Sequence, residues 1–120
     1  MALERAEDPV PPRLAQAHRQ AGGVARADLA EREWRISLYR SKVPTGRVAF
    51  NVRNFGEDGH DLAVRTASGH VLGSLGEISP GDTARLSVRL RKPGRYRVFC
   101  TLEGHEARGM RALLRVKRRQ

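Results

Sequence analysis

Apolar and polar residues alternate along most of the chain from residue 34 onward. Trp34, Ile36 and Leu38 would share one side of an extended segment, with charged or polar residues between them. Because successive side chains of a β-strand point to opposite faces, this period of two predicts a strand with one buried face. The same period recurs in segments 48–52, 60–64, 86–90, 96–100 and 112–116, and more weakly in segment 71–72.

Short runs rich in proline, glycine and serine separate these segments. Residues 44–46 read Pro-Thr-Gly, residues 79–82 read Ser-Pro-Gly-Asp and residues 92–94 read Lys-Pro-Gly. Such runs are typical of tight turns. About seven or eight short strands with turn signals between them, and no helical period, predict an all-β fold, a two-sheet Greek-key β-sandwich.

The N-terminal part of the chain has a different pattern. Residues 1–11 carry prolines and charges with few apolar side chains, and the alanine-rich stretch that follows is interrupted at Gly22-Gly23. We predict that residues 1–33 form a helical or flexible extension, and that residues 34–118 form the β-domain. A chain of 120 residues has room for one hydrophobic core of this kind.

The formal net charge of +10 could favour nucleic acid, an anionic membrane or an acidic protein partner. Aromatic residues make up only 5% of the chain, too few for a surface on which bases stack, so we expect no nucleic-acid binding. No apolar run approaches about 18 residues, so no transmembrane segment is expected. The first thirty residues also lack the apolar stretch of a secretory signal.

The candidate chemistry lies between two of the predicted strands. The segment 99–110 contains the only cysteine, Cys100, followed by His105 and Met110 in the spacing C-x4-H-x4-M. A thiolate, an imidazole and a thioether suit copper better than zinc, which prefers paired cysteines or histidines, or calcium, which prefers carboxylates. His60, at the start of a predicted strand, offers a second imidazole. Two histidines, a cysteine and a weak axial methionine are the ligands of electron-transfer copper sites.

This pattern resembles that of the blue copper proteins, or cupredoxins, over residues 34–116. The resemblance implies a Greek-key sandwich that binds one copper ion and cycles it between Cu(I) and Cu(II) in electron transport. It further implies a periplasmic or other extracytoplasmic location. It also implies that the outer edge of His105, the histidine of the 99–110 segment, serves as the electron exit. The type 1 copper ligands that the resemblance implies are His60, Cys100, His105 and Met110.

The resemblance also bears on the neighbours of the first histidine. The carbonyl of Gly59 is a weak additional axial candidate, and backbone N–H groups near His60 should face the cysteine sulfur. Asp61 stands where these proteins often carry asparagine, which is a departure.

Other functions remain open at this stage. The same ligands could serve copper handling or delivery, and the domain could also be a metal-free binding module. We expect no enzyme, because the histidines are isolated and the paired His-x-His motifs of multicopper oxidases do not occur. The positive charge favours a redox protein partner with an acidic docking surface, and we expect a monomer.

Overall fold

The computed structural model describes residues 23–119, which form nine strands and a single turn of helix. Within this part of the chain, no helix is long and apolar enough to cross a bilayer. The elements are β1 (Ala25–Arg32), β2 (Arg35–Leu38), β3 (Lys42–Pro44), β4 (Gly46–Asn54), β5 (His60–Thr66), β6 (Val71–Ile78), β7 (Thr83–Leu90), β8 (Gly94–Phe99), α1 (His105–Arg108) and β9 (Arg111–Lys117).

The strands form two sheets that enclose one core. One sheet has the strand order β3-β9-β8-β5-β6, and the other has the order β2-β1-β4-β7. Many of the core side chains are those that the alternating pattern assigned to the buried faces. They include the fully buried Phe50, Leu62, Leu90, Val98 and Leu114. The predicted all-β sandwich is therefore confirmed.

Strand β1 corrects the secondary structure predicted for residues 1–33. Residues 25–32 are neither helical nor flexible, since they pair in parallel with β4 and antiparallel with β2. Ala25, Ala27 and Leu29 are buried while Arg26 and Asp28 between them are exposed, so the period of two is present. Alanine has low β-propensity and gives a weak apolar signal, which is why the strand was missed. The rest of the predicted extension, residues 1–22, lies outside the described residues.

The pairing of three neighbouring strands brings the candidate ligands to one end of the larger sheet. Strand β8 lies between β5 and β9, and its last residue, Phe99, pairs with Ala63 of β5 and with Arg111 of β9. His60 begins β5 and Cys100 directly follows β8. Because all three strands are antiparallel neighbours, the start of β5, the end of β8 and the start of β9 meet at the same end of the sandwich.

Candidate metal centre

Three predicted ligands converge at this end of the sandwich. The donor atoms of His60, Cys100 and His105 all lie within 4.8 Å of one another. The Nδ1 atom of His105 is 3.3 Å from Nδ1 of His60 and 3.5 Å from Sγ of Cys100. His60 and Cys100 are fully buried, and His105 is partly exposed. Two imidazole nitrogens and a sulfur facing the same small volume form a donor set that fits copper.

The loop from Cys100 to Met110 is closed by its own backbone. The amide of Cys100 donates to the carbonyl of Met110 at 3.1 Å, and the amide of Met110 donates to the carbonyl of His105 at 3.1 Å. Met110 therefore connects to both loop ligands through the backbone, and its side chain is fully buried in the core. The thioether of Met110 as an axial ligand remains a prediction.

Gly109 allows the loop to pack tightly against the turn between β1 and β2. Its φ of 127° lies in the left-handed region, and a β-carbon there would lie 2.7 Å from the carbonyl oxygen of Trp34. Only glycine fits both the backbone angle and the close approach. The loop from Cys100 to Met110, the metal loop, is thus in direct contact with the turn that contains Trp34.

The sulfur of Cys100 is fully buried and accepts a hydrogen bond from the backbone. The amide of Asp61 donates to Sγ at 3.5 Å, as expected for the backbone next to the first histidine. Burial raises the pKa of the Cys100 thiol to about 11, an effect that the N–H groups of Asp61 and Leu102 oppose. The thiol is therefore protonated at neutral pH unless a bound metal displaces the proton.

The carboxylate of Asp61 joins the two segments that carry His60 and Cys100. It accepts the amide N–H of Thr101 at 2.6 Å and also the hydroxyl of Thr101. A carboxylate that accepts two hydrogen bonds here connects the start of β5 to the residue after the cysteine. The side chain of Asp61 thus joins the two ligand segments.

Glu33, in the turn between β1 and β2, contacts the outer side of His60. Its Oε2 lies 2.9 Å from Nε2 of His60. The carboxylate also accepts hydrogen bonds from the backbone N–H groups of Glu57 and Asp58. These hydrogen bonds, of which that from Asp58 has the largest effect, lower the pKa of Glu33 to about 2. Glu33 could not be predicted as a neighbour of His60, because no local signal relates a residue of this turn to a histidine 27 positions later.

Trp34 covers the outer edge of His105. The two ring centroids are 4.9 Å apart at an interplanar angle of 85°, and the guanidinium of Arg108 lies 4.5 Å from the centroid of Trp34. Such an edge-to-face contact fixes the orientation of the imidazole. The outer edge of His105 is therefore covered by a partly buried indole with an arginine over it.

Gly59 lies in the loop that precedes β5, next to the side chain of Glu77. A β-carbon at Gly59 would overlap the Glu77 carboxylate. The role of the Gly59 carbonyl as a further axial ligand remains a prediction.

No family model matches this sequence, and no curated protein matches it. Solved structures do match. Auracyanin from the photosynthetic bacterium Roseiflexus castenholzii is similar with a TM-score of 0.69 and 18% identity, over 77% of this chain and 96% of that chain. Auracyanin A from Chloroflexus aurantiacus, described as a "blue" copper protein, has a TM-score of 0.64 and 12% identity, over 79% and 100% of the two chains.

The same fold also matches part of a larger enzyme. A copper-containing nitrite reductase from Thermus scotoductus has a TM-score of 0.59 and 18% identity, over 82% of this chain but 28% of that chain. At these identities the likeness concerns the fold, and the donor set must carry the functional argument.

Proposed function

We propose that this chain, which has the cupredoxin fold of the blue copper proteins, is a small electron carrier with one type 1 copper. His60, Cys100 and His105 would hold the copper ion, with Met110 as a weak fourth ligand. The observation that carries this proposal is the convergence within 4.8 Å of the Nδ1 atom of His60, at the start of β5, and the Sγ of Cys100 and Nδ1 of His105, in the loop after β8. The proposal is supported by the structural similarity to auracyanins, because the match extends over 96% and 100% of those chains and one of them is described as a "blue" copper protein.

The scaffold suits a site that changes charge without changing shape. Copper supplies a one-electron couple, and the chain supplies ligands held from outside. His60 is held by β5, Cys100 by the end of β8, and Met110 by the start of β9. The full burial of His60 and Cys100 keeps water from the donor atoms. The Cys100 thiol would have to give up its proton to bind the metal, since only the thiolate is a ligand.

His105 is the most exposed of the three clustered ligands, so the electron leaves past Trp34 to a partner that docks there. The partner is a redox protein with an acidic surface, because Arg108 lies over Trp34 and the chain carries a net charge of +10. The carrier acts as a monomer in an extracytoplasmic compartment, the location that the resemblance implies.

We expect the purified chain to take up one equivalent of Cu(II) and then to show a single reversible one-electron wave in voltammetry. The physical reason is that ligands fixed by strands need little rearrangement between the two oxidation states. Repeated cycling in the presence of a Cu(I) chelator should leave the wave unchanged. Rapid loss of Cu(I) to the chelator would instead indicate copper delivery, and the absence of stoichiometric copper binding would indicate a metal-free module.

We expect the rate of oxidation of the Cu(I) protein by the anion hexacyanoferrate(III) to fall as salt rises. The Debye length shortens from about 30 Å at 0.01 M to about 8 Å at 0.15 M, which screens steering by the positive surface. Arg108→Gln should slow the reaction at low salt by a factor on the order of three, less than the roughly tenfold or larger effect of a whole charged surface, because it removes one charge. Stopped-flow absorbance measures both rates.

The matched control is Arg89→Gln, which removes the same charge from an exposed position on β7. Arg89 pairs with Arg47 near the end of the sheet away from the metal loop. The control should react like the unaltered chain. A rate that does not change with salt, or equal slowing by both variants, would contradict steering toward Trp34 and Arg108.

A further inference from the structure

Glu33 is placed to act on the metal through His60. Its carboxylate lies 2.9 Å from Nε2 of His60, whose side chain is fully buried, and its own side chain is 22% exposed. We propose that Glu33 is a positioning residue that selects the metal-binding tautomer of His60 and, through its negative charge, favours Cu(II) over Cu(I). Only the effect on Cu(II) and Cu(I) rests on the proposed function, since the tautomer of His60 does not depend on copper.

The tautomer follows from the two neighbours of the ring. An ionised carboxylate can only accept a hydrogen bond, so Nε2 of His60 must carry the proton that it donates to Glu33. In the neutral ring, Nδ1 then keeps its lone pair. This atom faces the other donors, 3.3 Å from Nδ1 of His105. The hydrogen bond on the outer side thus turns the correct nitrogen into a ligand.

The loop before β5 holds the carboxylate in this position. The amide of Glu57 donates to both oxygens, at 3.1 and 3.0 Å, and the amide of Asp58 donates to Oε2 at 2.8 Å. A β-carbon at Gly56 would lie 2.6 Å from Oε2. The loop therefore surrounds the carboxylate closely, and the carboxylate is in place before any metal binds.

The charge of Glu33 sets the direction of its effect on the couple. A carboxylate that accepts a hydrogen bond from a metal-ligating histidine makes the imidazole more basic. A more basic ligand and a nearby negative charge both stabilise the higher charge of Cu(II) more than that of Cu(I). Glu33 should therefore lower the reduction potential of the site. Glutamine at this position would keep an oxygen acceptor of the same reach while removing the charge.

The first test compares the copper-loaded full chain with its Glu33→Gln variant. We expect the Cu(II) affinity to fall about tenfold, at the low end for loss of an outer partner of a metal ligand, with the Cu(I) affinity nearly unchanged. A tenfold change in this ratio corresponds to about 59 mV for one electron, so the potential should rise by about that amount. Voltammetry gives the potential, and the visible spectrum should keep its thiolate band.

The control is Glu57→Gln, the same substitution in the loop around Glu33. The side chain of Glu57 is exposed, and its bond to Glu33 is made by its backbone N–H. The control should shift the potential much less than Glu33→Gln. Equal shifts in both variants, or no shift in either, would overturn the electrostatic role of Glu33.

The second test examines the tautomer by nitrogen NMR of the full chain before copper is added. His60 should carry its proton on Nε2 in the unaltered chain and in Glu33→Gln, and should lose this preference in Glu33→Ala. A proton on Nδ1 in the unaltered chain would overturn the tautomer selection. Because no copper is present, failure of the proposed electron carrier would leave this result intact and is thereby distinguished from failure of the inference.

Discussion

Replacement of Cys100 with serine is expected to abolish the intense visible absorption of the Cu(II) protein. The band arises from charge transfer between the cysteine thiolate and copper, so it requires Sγ at the position 3.5 Å from Nδ1 of His105. A serine hydroxyl keeps its proton and is a poor copper ligand. The optical spectrum after addition of one equivalent of Cu(II) measures the effect, which should be complete.

The matched variant for this experiment is Met110→Leu, which removes the other sulfur of the loop. Leucine is close to methionine in volume, so the buried side chain should be replaced with little loss of packing. The thiolate band should persist in this variant with an altered reduction potential, because an axial ligand tunes the couple without producing the band. A band that survives in Cys100→Ser, or no band in the unaltered chain, would contradict the type 1 site.

The fold was predictable wherever one face of a strand carries large apolar side chains. Segments such as 48–52 and 86–90 alternate clearly, and both are strands with buried alternate residues. Strand β1 was not predicted, because two of its inward positions are alanines and give only a weak apolar pattern. Pairing with β4, which is distant in sequence, places these alanines in the core. Tertiary context decides such a strand.

The site was predictable as far as the metal loop extends. The spacing of Cys100, His105 and Met110 is visible in the sequence, and His60 follows from the need for a second imidazole. Glu33 and Trp34 were not predictable as neighbours of the site. Their position depends on the register of β1 against β4, which no short sequence pattern specifies.

The same register buries the acidic side chain of Glu31. Glu31 pairs with Asn54 across β1 and β4, and its side chain points into the core, where it is fully buried. Neither of its carboxylate oxygens has a hydrogen-bond partner among residues 23–119. Burial, followed by the negative charge of Asp61, raises the pKa of Glu31 to about 8. The carboxyl is thus protonated at neutral pH.

This buried acid should make stability depend on pH between about 4.5 and 8. In that range the unfolded chain has lost the proton of Glu31 while the folded chain keeps it, so the folded state binds more protons and loses stability as pH rises. Below the range both states are protonated, and above it both are ionised with the full penalty present. One pKa unit corresponds to about 1.4 kcal/mol, so the penalty reaches at most about 5 kcal/mol.

Glu31→Gln should therefore gain stability over the unaltered chain as pH rises, because glutamine has no charge to bury at any pH. Urea unfolding of the metal-free proteins at pH 5, 7 and 9 measures the difference in free energy, which should be smallest at pH 5 and largest at pH 9. Glu103→Gln, the same change at an exposed position, should follow the unaltered chain at each pH. A constant difference between Glu31→Gln and the unaltered chain would show that Glu31 ionises in the folded protein as readily as in the unfolded one.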